Sequence, residues 1–90
     1  FEPAVRKEAM GMRKYLSDIR MEKNLSQHRV ARESQISYQH YSHIEGGVRK
    51  SKVSFVVMVR IAKALDIPLE RMYRYEKEYL ESIELSDEEK

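Results

Sequence analysis

Apolar residues recur at intervals of three and four along nearly the whole chain, and polar or glycine breaks fall at short distances, which is the pattern of short helices. No alternating apolar and polar stretch suggests a strand, and no internal repeat is visible. Met12, Leu16, Ile19 and Arg20, with Tyr15 beside them, lay one stripe on a first helix that runs to about Lys23, where Asn24 is a suitable stop. Upstream, Pro3 to Met10 is compatible with an extension of this helix. Gly11 would be its weak point, since glycine costs roughly 1 kcal/mol relative to alanine inside a helix. Ser26 can cap a second helix by accepting from an otherwise unpaired amide of its first turn, with Val30 and Ala31 facing inward and an end near Ser34. Ser37 repeats this chemistry for a third helix, Tyr38 to Glu45, in which Tyr41 and Ile44 share a face. Gly46-Gly47 then stops it, because glycine accepts the left-handed conformation that closes a helix.

Val48 to Val53 is a basic loop, after which Ser54 can cap a fourth helix through Leu65 with Phe55, Met58, Ile61, Ala62 and Leu65 on its apolar face. The run Val56 to Val59 has the composition of a strand. Helix prevails, because apolar residues continue at helical spacing through Ile61 and Leu65 and no partner strand exists elsewhere. Pro68 suits the start of a last helix, where its missing amide hydrogen would be unpaired anyway. That helix carries Leu69, Met72, Tyr73, Glu76, Tyr79, Leu80 and Ile83 on one stripe. The expected fold is all-α, five helices with the last one extended. It divides into a lead-in over 1–11, a compact domain over 12–75, and a helical extension with an acidic tail over 76–90.

Ninety residues are enough for one small core, and the absence of cysteine excludes a disulfide framework, a cysteine nucleophile and a thiolate metal site. The longest unbroken apolar run, Phe55 to Val59, is far too short to cross a bilayer. Phe1, Glu2, Pro3 and Ala4 do not resemble the basic start of a signal peptide, so a cytoplasmic location without membrane attachment is expected. The net charge of +2 hides an asymmetry: residues 1–52 hold 11 basic and six acidic side chains, whereas residues 53–90 hold six and nine. One half of the chain is therefore suited to anions, and the carboxylate-rich end should repel nucleic acid.

Two short capped helices separated by Gln35 and Ile36 form the arrangement of a helix-turn-helix unit. Eight residues from Tyr38 to Glu45 make a rod about 12 Å long, comparable to the width of a B-DNA major groove. With Tyr41 and Ile44 inward, Tyr38, Gln39, Ser42 and His43 point outward and His40 lies at the edge. From Leu16 to Tyr73 the chain resembles the phage-repressor and Cro-like (XRE) helix-turn-helix family. The resemblance lies in Ser26-Gln27 at a helix start, the small Ala31 between crossing helices, Ile36-Ser37 in the turn, Ile44-Glu45-x-Gly47 at a helix end, and Ile61-Ala62-Lys63-Ala64-Leu65 in the fourth helix. It departs at Gln35, where the family usually has glycine, at Ser34, where it usually has leucine, at Val53, which replaces a frequent proline, and in a loop about two residues longer than usual after Gly47.

The resemblance implies a sequence-specific regulator of transcription, most simply a repressor acting as a dimer on a double-stranded DNA operator, with Tyr38 to Glu45 in the major groove. It implies that Tyr38, Gln39, Ser42 and His43 approach base edges, and that Gln27, Arg29, Ser37, His40, Arg49, Lys50 and Lys52 meet the sugar-phosphate backbone. Gln39 is the best base reader among them, because a carboxamide pairs bidentately with adenine N6 and N7. Clustering of Arg29, Arg32, Arg49, Lys50 and Lys52 around the exposed helix favours phosphate binding over a merely solvated face. Tyr79, Leu80 and Ile83 lie beyond the expected end of the compact unit and suggest a two-fold contact between copies. His28, His40 and His43 lack an acidic or thiol companion placed to complete a zinc site, so no metal and no cofactor is expected. Catalysis is not expected either, since no glycine-rich phosphate loop or paired acid can be assigned. Another class of function is a protein-interaction module, such as an antitoxin or regulatory adaptor, that uses the same helix pair. A regulatory protein partner, or a sensor domain of a longer regulator, is compatible with either.

Overall fold

In the computed structural model of the chain, the described residues are 11–47 and 53–88, with side chains described as far as Ile83. Expectations for residues 1–10, for Arg49, Lys50 and Lys52, and for the end of the acidic tail lie outside the described residues. Among the described residues five helices follow one another: α1 (Lys14–Glu22), α2 (Gln27–Glu33), α3 (Tyr38–Gly46), α4 (Phe55–Leu65) and α5 (Leu69–Glu88). The described residues contain no strand, and the β-branched run Val56 to Val59 lies inside α4.

Local chemistry explains where these helices begin. Ser26 Oγ accepts from the Arg29 amide at 3.0 Å, Ser37 Oγ from the His40 amide at 3.0 Å, and Ser54 Oγ from the Val57 amide at 3.2 Å. Each pairs one of the amides that a helix start leaves without a partner. For α5 the Pro68 carbonyl accepts from the amides of Arg71 and Met72, so the proline stands just before the helix. Met12 also precedes its helix, since α1 begins at Lys14 with Arg13 in the capping position.

The ends are as uniform as the starts. Asn24, Gln35, Gly47 and Asp66 all adopt φ near +60°, the left-handed conformation that terminates a helix. After three of them the chain closes in the same paired pattern: Leu25 donates to the Arg20 carbonyl, Ile36 to that of Ala31, and Ile67 to that of Ala62. Leu25, Ile36 and Ile67 each pack against the core, the apolar contact that accompanies this closure. Gly47 has a further reason to be glycine. A Cβ there would lie 1.4 Å from the Gly11 carbonyl oxygen and 3.0 Å from the Tyr79 hydroxyl, so no side chain fits.

Leu16, Val30, Ala31, Tyr41, Ile44, Met58, Ile61, Ala62, Leu65 and Met72 form the core, into which every helix contributes. The core packs α2 against α3 and α4, α4 against α5, and α1 against α3. Two charged residues are buried beside it, Arg13 and Glu45. The Arg13 guanidinium meets the Glu76 carboxylate at 3.0 Å through Nε and 2.8 Å through Nη2, and donates through Nη1 to the Ile44 carbonyl at 2.9 Å. Glu76 also accepts from the Tyr15 hydroxyl. Burial works against the Arg13 charge, but the hydrogen bond and charge of Glu76 outweigh it and hold the guanidinium above its ordinary range.

This network spans the expected boundary at residue 76. Glu76 ties α5 to the start of α1, and one turn later the buried Tyr79 donates from its hydroxyl to the Gly11 carbonyl at 2.8 Å, its ring 4.4 Å from the Arg13 guanidinium. Ile83 is buried as well. In the opposite sense, Phe55, Leu69 and Tyr73 share apolar stripes with core residues by their spacing yet are exposed, Phe55 by 71% and Tyr73 by 67%.

Candidate nucleic-acid interface

The third helix has two chemically different faces. Tyr41, Ile44 and Glu45 are buried, whereas Tyr38, Gln39, His40, His43 and Gly46 are exposed and Ser42 is half-buried. Helical geometry puts positions 38, 39, 42 and 43 side by side, one turn above the other, with 40 at the margin. All four expected base-contacting positions therefore share one outward surface, and their side chains present amide, hydroxyl, imidazole and phenol groups.

The opposite face disposes of the one carboxylate in α3. Glu45 takes the Arg20 guanidinium through two bonds, Nε to Oε1 at 3.1 Å and Nη2 to Oε2 at 2.9 Å, with both side chains largely buried. Arg20 also donates to the Leu25 carbonyl at 3.0 Å, so one side chain of α1 fixes both the end of its own helix and the end of α3. Its hydrogen bond to Glu45 raises the Arg20 pKa above the usual range. Burial pushes the Tyr41 hydroxyl well above the ordinary tyrosine value, and the neighbouring Glu45 charge pushes it in the same direction. A paired and covered Glu45 leaves the exposed face of α3 free of negative charge.

The flanking residues carry the donors that a phosphate would need. Ser37 is exposed, and although its oxygen accepts from His40, the hydroxyl hydrogen remains a donor. Gln27 is half-exposed at the start of α2. Arg29 is exposed and paired through Nε with Glu33 at 2.7 Å one turn along. Solvent-exposed pairs of this spacing are worth only about 0.3–0.5 kcal/mol, so this guanidinium can exchange its partner for a phosphate at small cost. Arg32 is exposed on the same short helix.

One contact was not foreseen from the sequence. The ring of His28, the second residue of α2, lies flat on the ring of Tyr38, the first residue of α3, with centroids 3.8 Å apart and planes 5° from parallel. The signal was available: each residue lies in the first turn of a serine-capped helix, and helices that cross near their starts bring such positions together.

Of the residues expected at a contact between copies, Tyr79 and Ile83 are buried and Leu80 is half-buried. Tyr79 and Ile83 face inward and are not surface residues of a single chain. Leu80 lies along an apolar groove of about 830 Å³ between α4 and α5, lined also by Val53, Phe55, Met58, Leu69, Met72 and Tyr73. Glu70, Glu76, Lys77 and Glu81 rim this groove. No helix among the described residues is long and apolar enough to cross a membrane.

Comparison with known proteins agrees with this geometry. A family described as helix-turn-helix matches residues 16–72. Among solved structures, the restriction-modification controller protein C.AhdI from Aeromonas hydrophila is similar over 72% of this chain and 92% of its own, with 31% sequence identity and a TM-score of 0.59. No curated protein matches.

Proposed function

The chain belongs to the helix-turn-helix family and is a DNA-binding transcriptional regulator of the XRE type, and we propose that it is a repressor that binds its operator as a homodimer with α3 in the major groove. The observation that carries this reading is the division of α3 into an exposed polar face and a buried face that retains its only carboxylate. Tyr38, Gln39, Ser42 and His43 then meet base edges, and Gln39 offers the amide pair that suits adenine. Gln27, Arg29, Ser37 and His40 hold the flanking phosphates, joined by Arg49, Lys50 and Lys52 from the basic loop. The regulator acts by binding rather than by catalysis, in the cytoplasm, where the DNA is. Likeness to a restriction-modification controller protein supports a regulatory role.

The homodimer forms through the groove between α4 and α5. Phe55, Leu69 and Tyr73 are large, apolar and exposed together, a combination that a soluble monomer rarely presents. A two-fold axis lets this surface cover itself, with Leu80 at its edge. Rim charges of both signs, Glu70, Lys77 and Glu81, allow lysine to face carboxylate across that axis. Two copies then set their α3 helices into successive major-groove segments, with half-sites about one helical turn apart.

Fluorescence anisotropy on matched and mismatched duplexes at two salt concentrations tests these roles. Gln39→Ala should relax preference at one base pair by about 1–3 kcal/mol. Lys50→Ala should weaken binding to every duplex and reduce the slope of log K against log salt by about 0.9. If Gln39→Ala leaves the ranking of duplexes unchanged, Gln39 is not a base reader.

A further inference from the structure

We infer that His28 is a specificity-determining positioning residue: its imidazole holds the Tyr38 ring in place at the entrance of α3, so that the base pair read by Tyr38 is read by the stacked pair. The inference rests on the proposal that α3 enters the major groove. Its own basis is the contact between the two rings, 3.8 Å apart and 5° from parallel, across the turn between α2 and α3.

An isolated tyrosine at the first position of an exposed helix can swing about two side-chain torsions and would present its edge to DNA only part of the time. Tyr38 is 44% exposed, so the packing of α3 alone does not hold it. His28 supplies the missing constraint from a different helix, and that helix is itself fixed to α3 by Val30, Ala31 and Ile36 packing on the core. Both residues stand in the first turn of a serine-capped helix, so the backbone that carries each ring is already fixed. The consequence is preorganisation: the plane of the ring is already set when DNA arrives. Preorganised contacts discriminate between bases more sharply than mobile ones, since a mobile ring can adapt to a mismatch.

The test is a selection on random duplexes with the full chain and its Tyr38→Ala, His28→Ala and His28→Phe variants, together with the tyrosine ring resonances of the free proteins. Tyr38→Ala should erase preference at one position of the site. His28→Ala should reduce discrimination at that same position about five- to tenfold while leaving affinity for unrelated duplex within about twofold. His28→Phe keeps a flat ring without an ionisable group and should restore discrimination. In the free protein, loss of the stack should move the Tyr38 ring protons downfield, which a purely electrostatic role of His28 would not do. Equal weakening on all duplexes, without rescue by His28→Phe, would make His28 a phosphate contact and overturn the inference. Unmoved Tyr38 resonances would overturn it too. If Tyr38→Ala erases a preference that His28→Ala retains, the inference fails alone; if Tyr38→Ala changes no preference, the base-reading role of Tyr38 fails and takes the inference with it.

Discussion

Replacing Arg13 by methionine perturbs the junction on which α1, α3 and α5 all depend. The change removes the hydrogen bonds to Glu76, the bond to the Ile44 carbonyl at the end of α3, and the cation above the Tyr79 ring. What it leaves behind is costlier than what it removes, because the Glu76 side chain is only 13% exposed. Breaking a buried pair from one side costs about 3–5 kcal/mol. Some water reaches Glu76, so the lower end applies, and about 3 kcal/mol in a domain of this size lowers Tm by roughly 12–24 °C. Removing both charges should be much less harmful. Arg13→Met combined with Glu76→Met replaces the pair by apolar volume, and the residual penalty is the Tyr15 hydroxyl and the Ile44 carbonyl losing a partner, about 1 kcal/mol each. Urea unfolding followed by circular dichroism on the wild type, both single variants and the double variant gives the coupling energy directly. A coupling of about 2 kcal/mol or more is expected. A value below about 0.5 kcal/mol would refute the claim that the pair holds α5 to the recognition unit.

Other consequences are open to equally direct measurement. Gln35 sits at φ 63°, a conformation that costs a side-chain-bearing residue about 1 kcal/mol, so Gln35→Gly should stabilise the fold by about 0.5–1 kcal/mol in urea titrations; a loss of stability would contradict the left-handed turn. Tyr73→Glu places a charge on an exposed position of the α4–α5 groove and should give folded monomers by sedimentation, with a Tm that no longer depends on protein concentration; an unchanged dimer mass would remove that surface from the contact. Burial raises the pKa of Tyr15 and Tyr41 in the folded chain, reinforced by Glu76 and Glu45 respectively, while the unfolded chain loses these protons near the ordinary value of 10.0. Their contribution is therefore complete below about pH 10 and lost as pH rises further, by about 1.4 kcal/mol per pH unit for each tyrosine. Tyr41→Phe should remove one tyrosine's share of that slope; an identical alkaline slope in the variant would contradict the assignment.

Helix order, caps and the polar face of α3 were legible in the sequence because each has a short-range cause. A serine before an apolar stripe, or a tolerant residue after one, acts within a turn of where it stands. Even the departure at Gln35 has a readable meaning, since the position demands φ near +60° whether or not glycine fills it. Burial of Arg13 and Glu45 was not legible, because spacing arguments turn charges outward, and only the folded chain brings Glu76 and Arg20 to them over 63 and 25 residues of sequence. For the same reason spacing does not tell that Phe55 and Tyr73 are exposed while Tyr79 and Ile83 are buried. A five-helix unit has more apolar positions than its core can hold, and periodicity does not say which are left for the groove. His28 was weighed as a metal ligand, and its place against Tyr38 depends on how two helix starts cross.

The central claim is that the outward face of α3 lies in the major groove of duplex DNA. Dimethyl sulfate protection on a selected operator separates the grooves in one experiment, because guanine N7 reacts from the major groove and adenine N3 from the minor groove. The account predicts protection of guanine N7 in two patches about 10 base pairs apart, each lost on mismatch at the position read by Gln39, with adenine N3 still reactive beneath them. Protection confined to adenine N3, or no base protection at all in a saturated complex, would contradict it.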